Sequence, residues 1–304
     1  MNVLFMGTPE FAAASLDKLH RDGFQICAVL TQPDKQRGRG MQVSYSPVKE
    51  LAIKIGAPVF QPDSLRGEEV QNLIREYNPD IIAVVAYGKI LPAEVISMAK
   101  YGAVNLHGSV LPKYRGAAPI QWAVLNGDSR TGVCTIFMNE RMDAGDLIYS
   151  VETDIGETET SGELYDRLER LGADLLSKTL TDIEKGTAPR CPQNEDNATY
   201  VKRLDKSLSP IDWNRSPREV LKWIYGLQPW PVATTVLSGK EIRVFGAAYS
   251  ERITREPPGS IVAAGPDGIV FACKDGQCLS VTELQLPGKK RMSAADFLRG
   301  HSVL

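Results

Sequence analysis

A mostly parallel α/β sheet domain, then a linker, then a small β-barrel with a helix is the fold this chain predicts, on three observations. Over the first 150 residues, short β-rich apolar runs alternate with helical patterns, as βαβ units in a parallel sheet do. Near residues 187–210 the periodicity gives way to Pro189, Pro192, Asn194, Asn197 and Pro210 among polar residues, which is linker composition. Beyond that, five short strand-like runs, most of them separated by Gly-containing turns, fit within 60 residues, a barrel pattern. At ~150 residues per domain, 304 residues suit two domains. The boundaries read from the pattern are 1–189 for a Rossmann-like domain, 190–207 for the linker and 208–304 for an OB-like domain.

In chain order, Asn2–Met6 reads as a strand. Thr8 follows as an N-cap, with Pro9 at the first helical position and Glu10 in the first turn, opening a helix through Leu19. Ile26–Leu30 is the next strand. Asp80–Ala86 is a continuous Ile- and Val-rich run, as expected of a strand buried on both faces. Ala103–His107 and Gly132–Met138 have the same character. Thr160 and Glu163 have capping-box spacing, and Leu164, Leu168, Leu171 and Leu175 then form one helical stripe ending near Gly186. After the linker, Ser216 and Glu219 repeat the capping box and open a helix to Leu227. The barrel strands read as Thr234–Leu237, Glu241–Phe245, Gly259–Ala263, Ile269–Cys273 and Leu279–Leu286.

Composition excludes several classes. Apolar residues make up 43% and charged residues 24% of the chain, as in folded globular domains and unlike disordered ones. The longest apolar run, Ile81–Tyr87, falls well short of the ~20 residues a bilayer-spanning helix needs, so no membrane association is expected. The start of the chain lacks the basic residues and cleavable apolar core of a secretory signal. Five cysteines, odd in number and without a CxxC, suit free thiols in a reducing cytoplasm. Residues 1–189 carry 19 Lys and Arg against 25 Asp and Glu, whereas residues 190–304 carry 16 against 12. A basic C-terminal part suits an anionic partner.

The chemistry concentrates in the segment Asn105–Pro119. Asn105 and His107 stand two apart at a strand's carboxyl end, so both face one side of the sheet and Leu106 the other. In an open α/β sheet, functional groups gather beyond those ends. There an Asn carboxamide can donate to a developing oxyanion, and a His can act as acid, base or second donor. Asp143, in the loop Asn139–Asp146, is the candidate carboxylate to orient the imidazole. On spacing alone, Asn-x-His also suits a structural hydrogen-bonded pair. Three scattered His and five unpaired Cys give no metal-ligand spacing. Gly7-Thr8-Pro9 is not GxGxxG, so a dinucleotide site is not supported.

Asn105-Leu106-His107, Ser109-Val110-Leu111-Pro112, Arg115-Gly116-Ala117-Ala118-Pro119-Ile120-Gln121 and Met142-Asp143-Ala144-Gly145-Asp146 together resemble the folate-dependent formyltransferase family. The likeness extends to Phe5–Ala12, Gln32-Pro33-Asp34, Arg37-Gly38-Arg39-Gly40, Ser46–Lys49, Ile211-Asp212-Trp213 and Pro229-Trp230-Pro231. It implies transfer of a formyl group from 10-formyltetrahydrofolate to an amine, with Asn105, His107 and Asp143 catalytic and no metal. Ser109, Val110, Leu111 and Pro112 would line one side of the folate site. Val85, Tyr87, Gly88 and Leu91 would form the other wall through backbone groups. The match is closest to the members whose acceptor is the α-amino group of methionine on initiator tRNA, in a monomeric cytoplasmic protein. Lys35, Arg37 and Arg39, in the connection Gln32–Lys49, would then meet the tRNA acceptor end. That connection exceeds the ~12–15 residues beyond which a structureless loop is functional or disordered. Lys206, Arg215, Lys289, Lys290 and Arg291 are candidate phosphate contacts in the second domain. A formyltransferase for a sugar nucleotide or purine precursor would share the three polar residues without needing the basic loop. A nucleotide- or RNA-binding module would use the α/β domain only as a scaffold.

Overall fold

The computed structural model describes residues 1–37 and 42–303, with the backbone alone at 35–37, 42 and 43. It divides into two compact units. The first comprises Met1–Pro119, Thr131–Thr153 and Tyr165–Lys202; the second comprises Ile120–Arg130, Asp154–Leu164 and Arg203–Leu304.

The elements run β1 (Asn2–Gly7), α1 (Glu10–Arg21), β2 (Gln25–Leu30), β3 (Lys35–Arg37), β4 (Gln42–Ser44), α2 (Pro47–Lys54), β5 (Val59–Phe60) and α3 (Glu68–Tyr77). There follow β6 (Ile81–Val85), α4 (Ala93–Ile96), β7 (Ala103–His107), β8 (Arg115–Gly116), α5 (Pro119–Leu125), β9 (Arg130–Phe137), β10 (Leu147–Asp154), α6 (Ser161–Glu184) and β11 (Tyr200–Val201). Seven strands form the main sheet of the first unit in the order β10-β9-β7-β6-β1-β2-β5. The pairs from β5 through β2, β1 and β6 to β7 are parallel, and β9 runs antiparallel to β7. The sheet is mostly parallel, as the alternating pattern predicts.

Val3–Met6 and Ile81–Val85 are buried throughout, which is why their sequences are continuously apolar instead of alternating. Alternate residues still sort by face: Leu4, Met6, Ile82 and Val84 join Val70 and Ile74 of α3 and Val95 of α4 in one core cluster.

Several sequence-based boundaries shift. Thr8 does not cap α1. Pro9 holds the N-cap position with ψ −179°, still extended, so the helix starts at Glu10, and the Thr8 hydroxyl instead donates to the Tyr87 carbonyl at 3.3 Å. Strand β6 stops at Val85 because Ala86 adopts φ +45°. The connection after β2 is not structureless among its described residues: Lys35–Arg37 pairs antiparallel with Gln42–Ser44. Ser46 then caps α2 by accepting from the Lys49 amide at 3.1 Å. A polar knot ties the base of this connection: the Lys49 ammonium reaches Asp34 at 2.5 Å and Gln61 at 2.7 Å. The segment read as linker is also structured. Residues 200–201 form β11, which pairs parallel with β8, and Glu195–Asn197 form a 3₁₀ turn.

The second unit contains α7 (Pro217–Gly226), β12 (Ala233–Leu237), β13 (Lys240–Ile253), β14 (Ile261–Gly265), β15 (Gly268–Ala272), β16 (Gln277–Gln285), β17 (Met292–Ser293) and α8 (Ala294–Leu298). Its OB-like sheet is antiparallel, in the order β12-β13-β16-β15-β14 with β17 beside β16. Both capping-box bonds predicted for Ser216 and Glu219 are present. Strand β13 is far longer than the Glu241–Phe245 read from sequence. Register shifts near Gly246 and between Ser250 and Ile253 break the alternation that would have revealed it. Trp213 stacks on Phe271 at a centroid distance of 4.5 Å and donates its indole N–H to Thr235 at 2.9 Å, anchoring this core.

Two segments that precede residue 165 belong to this unit through specific bonds. Arg218 donates to the Gly127 carbonyl at 3.0 Å, the buried Lys222 ammonium to the Glu157 carbonyl at 2.7 Å, and the Tyr249 hydroxyl to the Glu157 carboxylate at 2.6 Å.

Candidate active site

Strand β7 ends at His107, and its pleat sets Asn105 and His107 on one face. Leu106, on the other face, packs against α6 at Gly172. Asn105 and His107 are only 8% and 6% exposed. Among the described residues the Asn105 carboxamide has no hydrogen-bond partner, so its donors are available to an incoming group. The His107 Nε2 lies 2.9 Å from the Tyr114 carbonyl, and its Nδ1 lies 3.8 Å from Asp143 Oδ1. A carbonyl only accepts, so Nε2 carries the hydrogen in that contact. The other Asp143 oxygen accepts from the Gly116 amide at 2.8 Å, which fixes the carboxylate with one oxygen turned toward the imidazole.

The Asp143 turn is shaped by its own sequence. Asp143 sits at φ +50°, a conformation Asp tolerates better than most side chains. The Arg141 amide donates to Asn139 Oδ1 at 2.9 Å, starting the turn. Gly145 is required by close approach: a Cβ there would lie 1.7 Å from the Phe137 carbonyl oxygen. Gly116 is required on both counts, with φ +114° and the Val201 carbonyl 2.3 Å from any Cβ.

The segments expected to hold a folate leave neighbouring strands at the same edge, since β6 and β7 are adjacent and parallel. After β7, the Ser109 hydroxyl donates to the Lys113 carbonyl at 2.6 Å, and Leu111 packs with Cys134 and Ile136. The peptide between Leu111 and Pro112 is cis. Val110 and Pro112 are half-buried. After β6, the Val85, Tyr87 and Leu91 side chains are buried and leave backbone as what they can offer; Gly88 is exposed. The Tyr87 carbonyl already accepts from Gln32 Nε2 at 2.9 Å, and desolvation pushes the buried Tyr87 phenol up to about 12. Burial likewise raises the Cys134 thiol to about 12, so it stays a protonated packing group.

Sequence reasoning missed five residues around the site: Arg115, Gln193, Glu195, Thr199 and Tyr200. Arg115 is completely buried and bonded to Gln193, Glu195 and Tyr200. The guanidinium of Arg115 first, and that of Arg141 second, hold the Glu195 carboxyl down at about 2. Thr199 accepts from the Tyr114 amide at 2.8 Å and so steadies the residue that meets His107. The one available signal was Arg115 itself, a charged residue within an otherwise small and apolar run.

Of the cations expected to meet tRNA, Lys35 and Arg37 lie on β3 and Arg39 lies outside the described residues. In the second unit, Arg215 pairs with Asp212 at 3.3 Å and Arg291 pairs with Glu283 at 2.5 Å, so both have structural partners. Lys206, Lys289 and Lys290 are exposed, without an ion-pair partner among the described residues. Among the described residues, no group of three or more His, Cys, Asp or Glu is placed to hold a metal ion, and no helix is long and apolar enough to cross a membrane.

Comparison with known proteins gives this geometry a context. Residues 1–180 match the formyl transferase family, and residues 203–302 match the formyl transferase C-terminal domain. The chain is 44% identical to the methionyl-tRNA formyltransferase of Acetivibrio thermocellus over 304 residues, covering 100% of this chain and 97% of that protein. It is 41% identical over 303 residues to the methionyl-tRNA formyltransferase of Clostridioides difficile, covering 100% and 98%. Among solved structures, a sugar 3N-formyl transferase, WlaRD, crystallised with dTDP and 5-N-formyl-THF, aligns with TM-score 0.69 at 18% identity, covering 95% of this chain and 99% of that one. HypX from Aquifex aeolicus in complex with tetrahydrofolic acid aligns with TM-score 0.61 at 19% identity, covering 97% of this chain and 46% of that one, a likeness of fold. With family matches in both halves and relatives above 40% identity along its full length, the chain belongs to the formyl transferase family.

Proposed function

We propose that this chain is a methionyl-tRNA formyltransferase that moves a formyl group from 10-formyltetrahydrofolate to the α-amino group of methionine on initiator tRNA. The observation that carries this reading is the Asn105 carboxamide, without a hydrogen-bond partner among the described residues, beside the His107–Asp143 pair at the carboxyl edge of the parallel sheet. Full-length relatives of that name supply the acceptor. The domain division that follows is a catalytic domain over 1–189, a connection over 190–207 and a tRNA-binding OB-like domain over 208–304. The protein would act as a cytoplasmic monomer.

The residues present suit a folate. Two segments leave one sheet edge, with exposed backbone at Gly88 and half-buried apolar side chains at Val110 and Pro112. A pterin needs that combination of matching backbone groups and apolar walls. Bound there, 10-formyltetrahydrofolate supplies the formyl carbon.

The chemistry assigned to the chain's own groups then follows. An α-amino group titrates at about 7.7–8.0, so a usable fraction is already neutral near pH 7 and needs little activation. The harder tasks are to stabilise negative charge on the formyl oxygen and to protonate the departing nitrogen. Asn105 Nδ2 donates to that oxygen from a nearly buried position, where one hydrogen bond counts for more than in water. The His107 Nε2–H is a second donor once it leaves the Tyr114 carbonyl, and apo hydrogen bonds of this kind rearrange in the reacting complex. His107 also serves as the general acid, with Asp143 holding its ring.

The test is incubation with 10-formyltetrahydrofolate and methionyl initiator tRNA, with detection of formyl-methionine. Formyl-methionine on initiator tRNA is the expected product. Formylation of an amino-sugar nucleotide in place of tRNA would move the chain to another branch of the family, and no transfer to any amine would overturn the reading.

A further inference from the structure

Arg115, Gln193 and the turn that carries Asp143 form a continuous path of hydrogen bonds. Arg115 is wholly buried, and each of its five N–H donors is used. Its Nε donates to Gln193 Oε1 at 3.2 Å, and one terminal nitrogen donates to the same oxygen at 2.8 Å. That nitrogen also meets Glu195 Oε1 at 3.0 Å, while the other meets Glu195 Oε2 at 3.1 Å and the Tyr200 hydroxyl at 3.0 Å. A guanidinium has no acceptor, so the Gln193 oxygen must face it. This settles which way the amide points: its NH₂ is turned to the opposite side. There it donates to the Asp143 carbonyl at 2.9 Å and to the Gly145 carbonyl at 2.7 Å.

We propose that Gln193 is a positioning residue for formyl transfer: oriented by the buried Arg115, its amide clamps the main chain of the Asp143 turn and so sets the carboxylate against His107. The inference rests on the reading of Asn105, His107 and Asp143 as the catalytic set. Besides facing His107, the side chain of Asp143 is held among the described residues by one hydrogen bond, from the Gly116 amide. Its backbone sits at φ +50°, a conformation with no strong intrinsic preference in its favour. The two bonds from Gln193 tie the main chain of the turn to the Gln193–Val201 segment, whereas the Arg141–Glu195 pair at 2.6 Å reaches the turn only through a side chain. Removing them leaves Asp143 its carboxylate but frees its angle to the imidazole, and a displacement near 1 Å at a catalytic group can cost about 10²-fold in rate.

The experiment compares Gln193→Ala and Gln193→Leu with Asp143→Asn and with the Gln193→Ala/Asp143→Asn double variant, all assayed with 10-formyltetrahydrofolate and methionyl initiator tRNA. Expected for either Gln193 variant is a fall in kcat of about 10- to 100-fold, with KM for both substrates within about twofold. In the Asp143→Asn background, Gln193→Ala should cost almost nothing more, because its effect travels through that carboxylate. Full additivity of the two losses would overturn the inference, as would an unchanged kcat in both Gln193 variants. Loss of folding in both variants by circular dichroism would also overturn it, making Gln193 a fold residue. An Asp143→Asn enzyme with normal kcat would instead overturn the catalytic reading itself, so the two failures are distinguishable.

Discussion

Asn105 and His107 stand at positions that a strand's period of two dictates, and so their shared face was legible in the sequence alone. Burial to 8% and 6% adds what the sequence could not: little competing water and a carboxamide with no partner among the described residues. Asn105→Ala should lower kcat/KM by about 10²–10³, the usual cost of removing one oxyanion donor, while tRNA binding measured by filter retention stays intact. Near-normal turnover would remove Asn105 from the mechanism. Asp143 was legible only as a carboxylate in the right loop. Its pairing with His107 at 3.8 Å depends on the Gly116 amide and on Gln193, residues 27 and 50 positions away. No local pattern encodes such a pairing.

At the level of elements, the short β8–β11 ladder matters more than its length suggests. It brings Thr199 to Tyr114 and Glu195 to Arg115. Gly116→Ala would force a Cβ against the Val201 carbonyl at φ +114°, and should destabilise the protein by about 2–4 kcal/mol. Urea denaturation checks that figure, and loss of activity below the unfolding transition would show the ladder failing first. The ladder also carries an acid sensitivity. Glu195 is held at about 2 by the guanidiniums of Arg115 and Arg141, against an ordinary 4.5. A depressed carboxyl stabilises the folded state fully above its unfolded value and loses that contribution as pH falls from about 4.5 towards 2. Glu195→Gln should therefore have a lower Tm than the parent at pH 6, and the gap should close as pH approaches 2. A gap independent of pH would mean the carboxylate's charge is irrelevant to the segment. The sequence signal here was misleading in an instructive way. Pro189, Pro192 and Asn194 rule out helical periodicity and so read as a linker, but order in this segment comes from partners on β8, which composition does not register.

At the scale of the whole molecule, the charge asymmetry is the feature that bears on tRNA. Of the five cations suggested for the second unit, Arg215 and Arg291 are committed to carboxylates, and Arg291 also lies over the Phe245 ring at 4.6 Å. Lys289 and Lys290 are exposed. Replacing both by Gln should weaken tRNA binding uniformly and flatten the plot of log K against log salt by about one unit for each phosphate left unneutralised. Arg291→Gln should instead lower Tm. In the first unit, Arg39→Ala should reduce turnover of tRNA far more than binding of folate, and equal losses would count against a role for this loop at the acceptor end.

The sequence by itself determined the mostly parallel α/β sheet, the run of short strands that follows, both capping boxes, the Asn-x-His pair and the family. These rest on local periodicity and on short motifs, which residues within a few positions of one another can encode. The tertiary structure alone decided that residues 120–130 and 154–164 belong with the C-terminal unit, that β13 continues through its bulges, and that a buried arginine 78 positions from Gln193 orients the amide holding Asp143. Each of those depends on groups distant in the chain meeting in a desolvated place, where an unsatisfied donor or charge is too costly to leave and the partner is selected by position in space, not by order along the sequence.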